Sequence, residues 1–295
     1  MIKIFPKSSF FIPLFIILNF SVNPQTITVG NRVDKGIINN KNLEEISGIA
    51  ASQLSRDIFW IHNDSENKNY IYAINDKAEL VSTFKLAGIK NRDWEDIAVS
   101  NGPTGKSYIY IADIGDNKSI YKNKYIYRMP EPLIMNRNNK IRTIIKIDKI
   151  TFQFPDGIRD AETIMVDPIK KDIYIISKRE KKVHIYLLPF PQSTNEMITA
   201  TFLGKLNISK VVGGDILFDG QMVIIKNYTK VFFWKKGKSE QLQDVFNREP
   251  ENLPYMLEPQ GEGICWNFNG TGYYTISEKK FRIEPHLYYY PIIKK

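Results

Sequence analysis

The chain has 295 residues, 43% hydrophobic and 25% charged, a composition that belongs to a folded globular protein and excludes a disordered or collagen-like one. Its net charge of +9 comes from 41 basic residues interleaved with 32 acidic ones, which excludes a nucleic-acid-binding stripe and describes a lysine-rich surface suited to anionic partners such as cell-surface polymers. Cys265 is the single cysteine, so no intramolecular disulfide forms and stability must come from a large core or from a metal.

In chain order, Lys3 and Lys7 give a basic start, followed by an apolar run from Phe10 to Phe20. That run is far shorter than the roughly 20 residues needed to cross a bilayer. It has the pattern of a secretory signal. Residues 1–25 are therefore expected to be a signal peptide and 26–295 a single exported domain, secreted, periplasmic or at the cell surface, with no membrane span after signal removal. A monomer is expected.

Beyond residue 26 the chain reads as short strands rich in Ile, Val, Tyr and Phe, separated by Asn, Asp, Gly and Lys turns. Examples are Ile58 to Ile61, Tyr70 to Ile74, Tyr108 to Ile111, Ile173 to Ile176 and Met222 to Ile225. Such a chain is a sandwich, a barrel or a propeller. Five segments share one shape, a small or acidic residue two before an apolar position that opens a strand: Ser47 before Ile49, Glu95 before Ile97, Glu162 before Ile164, Gly214 before Ile216 and Glu262 before Ile264. Their spacings of 48, 67, 52 and 48 residues each suit one four-stranded blade. The fold class is thus all-β, a five-bladed β-propeller. The fifth unit runs out of chain after its third strand, so an N-terminal strand from Gln25 to Gly30 or at Ile37-Ile38 is expected to close the ring. The longest spacing holds two more runs, Ile141 to Ile147 and Ile150 to Phe154, which make either a sixth blade or, more simply, a hairpin extension of the second.

In a propeller the first strand of each blade lines the central channel, so Ser47, Glu95, Glu162, Gly214 and Glu262 should converge, with Asp215 offset by one residue. The ends of the second strands should surround the mouth with His62, Asn63, Asp64, Asp113, Asp116, Asn117, Lys178, Arg179, Asn227, Tyr228 and Glu278. Three glutamates in one channel repel each other, so either some keep their protons or a cation sits among them. Oxygen donors without His or Cys favour calcium over zinc or copper. Two alternatives stay open, that the glutamates only hydrogen-bond the amides of neighbouring blades or that they are catalytic. Lys178 and Arg179 suit a phosphate or carboxylate. His62 beside Asp64 is either a general base or a hydrogen-bonding mouth residue. Signatures for serine hydrolases, zinc proteases and phosphate-binding loops are missing.

The ordered set Glu45 to Ala50, His62-Asn63-Asp64-Ser65, Asp93 to Ala98, Ala112 to Asn117, Ile126 to Pro132, Phe154 to Gly157 with Arg159 to Glu162, Gly213-Gly214-Asp215 and Gln260-Gly261-Glu262 resembles a family of exported bacterial propellers, distant relatives of phytase-like and lactonase-like propellers. The resemblance covers nearly all of residues 44–278 and implies fold and export, since most members have no established activity. The ring is similar to that of calcium-dependent apyrase: Ser47, Glu95, Glu162 and Glu262 match its serine and glutamate pattern, and Gly214 departs from its second serine. The expected function is ligand or partner binding at the mouth with a central calcium; the alternative is calcium-dependent hydrolysis of phosphoesters, nucleotides or lactones.

Overall fold

The computed structural model describes Met1, residues 27–134 and residues 140–294; apart from Met1, the expected signal peptide lies outside the described residues. Near the N-terminus are β1 (Thr28–Val29) and β2 (Val33–Ile37). The first blade follows as β3 (Ile46–Ala51), β4 (Ile58–Asn63), β5 (Tyr70–Asn75) and β6 (Leu80–Leu86), an antiparallel meander. The second begins with β7 (Trp94–Asn101), β8 (Ser107–Asp113) and β9 (Lys124–Pro130). Next, β10 (Ile141–Ile144) goes back to the first blade and pairs in parallel with β6, from Ile141 opposite Thr83 to Ile144 opposite Leu86. The chain then returns as β11 (Asp148–Gln153), fourth strand of the second blade.

The third blade repeats this detour. After β12 (Ala161–Val166), β13 (Ile173–Ser177) and β14 (His184–Leu188), the short β15 (Ile198–Thr199) pairs in parallel with β11, and β16 (Thr201–Lys205) completes the third sheet. The fourth blade is β17 (Val211–Ile216), β18 (Met222–Asn227), β19 (Val231–Lys235) and, after the one-turn helix α1 (Leu242–Val245), β20 (Glu251–Leu253). The fifth is β21 (Gly261–Trp266), β22 (Gly272–Ser277) and β23 (His286–Lys294). There are five blades among the described residues. The expected hairpin extension is corrected: β11 is an ordinary fourth strand, and β10 is an extra edge strand of the preceding blade.

Closure comes from the N-terminus, as expected. Both β1 and β2 pair antiparallel with β23, placing Thr28 opposite Lys294 and Val33 opposite Tyr289. Just beyond β2, the Ile38 N–H donates to the Pro285 carbonyl at 2.8 Å. Five apolar clusters fill the five junctions between neighbouring blades. Trp60 and Trp94 pack between the first and second blades, and Trp266 between the fourth and fifth.

Every innermost strand carries a β-bulge at its second residue: Ser47, Glu95, Glu162, Val212 and Glu262. A bulge leaves one residue outside the ladder and re-aims its side chain. The register therefore corrects the fourth blade, where Val212 and not Gly214 occupies the ring column. Gly214 lies two residues on, level with Ile49, Ile97, Ile164 and Ile264. A Cβ there would meet Thr163 Cγ2 at 3.1 Å and Met165 Sδ at 3.2 Å, so the tight contact between third and fourth blades accounts for the missing side chain.

A chain shortened to begin at Asn39 should melt at lower temperature and self-associate on size exclusion, because β23 then becomes a long, tyrosine-rich open edge. A monodisperse truncated chain with unchanged melting would remove the closing role of β1 and β2.

Candidate functional site

The bulges open onto one face of the ring, where a funnel of about 620 Å³ is lined by Asp64, Glu95, Asn117, Glu162, Lys178, Arg179, Lys210, Tyr228, Gln260, Glu262 and Glu278. Three repeated positions build it. The bulge residues form the first, and the residues directly after the second strands, Asp64, Ile114, Lys178, Tyr228 and Glu278, form the next. The last consists of the residues directly before the first strands, Glu45, Asp93, Asp160, Lys210 and Gln260, of which Lys210 and Gln260 line the funnel while Glu45 and Asp93 line neighbouring cavities. Backbone hydrogen bonds tie these last two together: Asp64 N–H donates to the Glu45 carbonyl at 2.8 Å, Lys178 to Asp160 at 3.1 Å and Glu278 to Gln260 at 3.1 Å. Asp93, Asp160, Lys210 and Gln260 are additions to the expected site. They sit two positions before each bulge residue, a column readable from the sequence once Val212 replaces Gly214.

Other expected residues lie apart from the funnel. The Ser47 hydroxyl donates to the Glu95 carbonyl at 2.6 Å. His62 is wholly buried, its Nδ1 2.9 Å from the Asn63 carbonyl, and burial pushes its pKa down to about 4. Such a ring stays neutral and out of reach of the funnel. Asn63 donates to the Asn42 carbonyl at 2.7 Å beside a separate cavity. Asp113 pairs with Arg92 at 3.1 Å, and Asp116 with the buried Lys124 at 3.1 Å. Asn227 shapes its own turn by accepting from the Thr229 and Lys230 N–H groups.

Inter-blade amides are bonded by neighbours of the bulge residues. Asp96 accepts from Ile164 N–H at 3.0 Å, and Asp215 from Trp266 N–H at 2.8 Å. That leaves the ring glutamates to the funnel. Glu95 and Glu162 hydrogen-bond each other; burial first, then the Glu162 charge, holds Glu95 well above the usual carboxyl range. Burial raises Glu162 to about 7 against the opposing charge of Lys178, whose Nζ lies 2.5 Å from Glu162 Oε1. The Tyr228 hydroxyl donates to Glu262 Oε1 at 2.7 Å. Burial, with the Glu262 and Asp64 charges behind it, raises Glu278 to about 8. Asp64 and Asp93 both rise to about 6, chiefly through burial. Arg179 Nε meets Asp160 Oδ2 at 2.5 Å while the arginine side chain stays 53% exposed.

Two groups of three carboxylates each bring one oxygen within 4.8 Å of the others: Asp64, Asp93 and Glu95, and Glu95, Asp160 and Glu162. The donors are all oxygen, which suits a hard cation. The residues fit one, because no hydrogen-bond donor among the described residues reaches the Asp93 carboxylate, which is buried to within 8% of full enclosure.

No family model and no curated protein matches the chain. Among solved structures it is similar to a nidogen/laminin complex, with 12% identity, 79% of this chain and 72% of that one covered, and a TM-score of 0.46. It is also similar to the PQQ-bound aldose sugar dehydrogenase of Streptomyces coelicolor, with 8% identity, coverage of 88% and 98%, and a TM-score of 0.48. The ring of five sheets rests on this chain's own strand pairing, and these likenesses add no argument about its chemistry. Among the described residues no helix is long and apolar enough to cross a membrane.

Metal-free protein should lose stability as pH rises from 6.5 to 8. Folded Glu162 and Glu278 keep their protons up to about 7 and about 8, against an ordinary 4.5, so in this window the folded state holds more protons than the unfolded one. Below 6.5 His62 opposes this, because folding keeps it neutral where the unfolded chain binds a proton. Calorimetry in chelator should show the falling limb, flattened by Glu278→Gln; a flat or rising profile in the parent protein would contradict the assignment.

Proposed function

We propose that this propeller is an exported binding protein that captures an anionic ligand at the funnel through a divalent cation, calcium by the chemistry of the donors. One observation carries the reading: five carboxylates line a funnel with three basic side chains, and two of the three, Lys178 and Arg179, are already paired with Glu162 and Asp160. Metal-free, Glu95 and Glu278 hold their protons and offer an anion little; a divalent cation displaces those protons, is held by the freed carboxylates and presents its own charge to the anion. The exposed part of Arg179, with Lys210 beside it on the funnel wall, supplies the second contact that a phosphate or carboxylate needs. The signal-like start of the sequence supports export, and the scattered lysines suit anionic ligands or surface polymers.

A second reading, hydrolysis of a phosphoester, nucleotide or lactone, is favoured by Glu278, a funnel carboxyl that keeps its proton at neutral pH and could protonate a leaving group. A bound cation would supply polarisation of the phosphoryl or carbonyl oxygen. Loss of turnover in Glu278→Gln with ligand binding intact would favour this reading over simple capture.

Calcium at a hundredfold excess over its Kd should stabilise the protein by about 2.7 kcal/mol, and chelator should reverse the gain. Inorganic phosphate should bind measurably by calorimetry only when calcium is present, and Arg179→Ala should weaken the phosphate without weakening the calcium. Melting indifferent to calcium and chelator, or phosphate binding that needs no cation, would overturn the proposal.

A further inference from the structure

The two carboxylate groups that share Glu95 are not equivalent. In the Glu95, Asp160 and Glu162 group the protein supplies its own positive charge: Lys178 Nζ lies 2.5 Å from Glu162, Arg179 Nε lies 2.5 Å from Asp160, and Asp160 also accepts the Asp116 N–H at 2.7 Å. The Asp64, Asp93 and Glu95 group has no such supply. Asp64 accepts from the Ser65 N–H alone, Asp93 accepts from no described donor, and Glu95 has only the Glu162 carboxyl. The nearby cations are committed elsewhere. Arg92 pairs with Asp113 and lies over the Tyr121 and Tyr125 rings, and Lys124 pairs with Asp116.

Backbone geometry holds this second group together. Asp93 and Glu95 flank Trp94 at the start of β7, and the bulge at Glu95 turns both carboxylates over Gly115. A Cβ on Gly115 would lie 2.0 Å from Glu95 Oε1 and 2.7 Å from Asp93 Oδ2, so the carboxylates occupy the place where any other residue would put its side chain. Asp64, leaving β4 of the first blade, completes the group with an oxygen within 4.8 Å of the other two.

We propose that Asp64, Asp93 and Glu95 form a calcium site off the channel axis, between the first and second blades, and that Lys178 takes the axial position as a built-in cation. The inference rests on the reading that the funnel takes a cation, and it says where. Asp93 has no hydrogen-bond donor and feels Lys124 and Arg92 only as charges already paired with other carboxylates, whereas calcium satisfies three convergent carboxylates and completes its 6–8 oxygen shell with carbonyls, water or ligand oxygens. An anion bound to that ion faces Arg179 across the funnel.

Calorimetric titration of the whole protein with calcium alone tests this. Asp93→Asn and Asp64→Asn should each weaken calcium by ~tenfold or more, because affinity in such sites follows the charge of the ligands. Gly115→Ala should weaken it at unchanged net charge by displacing Glu95. Glu162→Gln should not weaken calcium binding, since Lys178 and not calcium neutralises that carboxylate and its loss relieves the repulsion on Glu95. Circular dichroism confirms that each variant is folded. Parent-like calcium binding by folded Asp93→Asn and Asp64→Asn, with loss in Glu162→Gln, would place the ion on the axis and overturn the inference while sparing the cation-dependent reading of the funnel. Failure of the parent protein to bind calcium would overturn both.

Discussion

The bulge at the second residue of each innermost strand decides what the centre of this ring contains. A regular strand sends successive side chains to opposite faces, so its ladder fixes where every residue points. One residue outside the ladder escapes that rule, and here it is at the same end of the same strand in all five blades. Glu95, Glu162 and Glu262 converge for that reason, although up to 167 residues separate them. Their repulsion is opposed by packing. Two unit charges 4 Å apart cost about 4 kcal/mol at the effective dielectric of a protein near its surface. Burying one large apolar side chain gives about 1.5–3 kcal/mol, and every junction between blades buries more than ten such residues. The ring can therefore hold a centre that favours its own separation, provided β1 and β2 keep it closed.

One repeated geometry carries different chemistry in each blade. After the second strand, the same position holds Asp64, Ile114, Lys178, Tyr228 and Glu278 in turn. The third and fourth blades thereby supply donors, Lys178 to Glu162 and Tyr228 to Glu262. The first supplies another acid, and the second supplies Ile114 followed by Gly115, whose bare Cα admits two carboxylates. Val212 adds no polar group to the ring. Five near-identical scaffolds thus make a lopsided funnel, neutralised on one side and short of positive charge on the other.

The architecture was legible in the sequence because blade-length repeats and short alternating strands leave few folds open, and the missing strand of the fifth blade pointed to the N-terminus. The path of β10 was not legible: a parallel edge strand added to the preceding blade has the same local pattern as half a hairpin. The ring column was legible in four blades and misplaced in the fourth, where two valines and two glycines, Val211 to Gly214, replace the polar-then-isoleucine cue and alignment on Ile216 slips by two residues. That slip also hid the column of Asp93, Asp160, Lys210 and Gln260. Lys178 and Arg179 were recognised as mouth cations, but their engagement with Glu162 and Asp160 depends on side-chain reach across the funnel, which spacing along a chain does not encode.

At the end of the innermost strands away from the funnel, Ala50, Val99, Leu217 and Trp266, with Gln53 and Asn267, line a space of about 20 Å³, room for roughly one water. The nearby Asp215 carboxylate is used in bonding the Trp266 N–H. Glu95, Glu162 and Glu262 are buried, which limits their contact with bulk water. That makes their charge more expensive than the same residues would be on an open surface, and it makes a cation arriving from the mouth correspondingly better held. The inter-blade links of Asp96 and Asp215 come one and three residues after the bulges, so the polar groups with structural work lie further along the strands than the ring glutamates left free for a ligand.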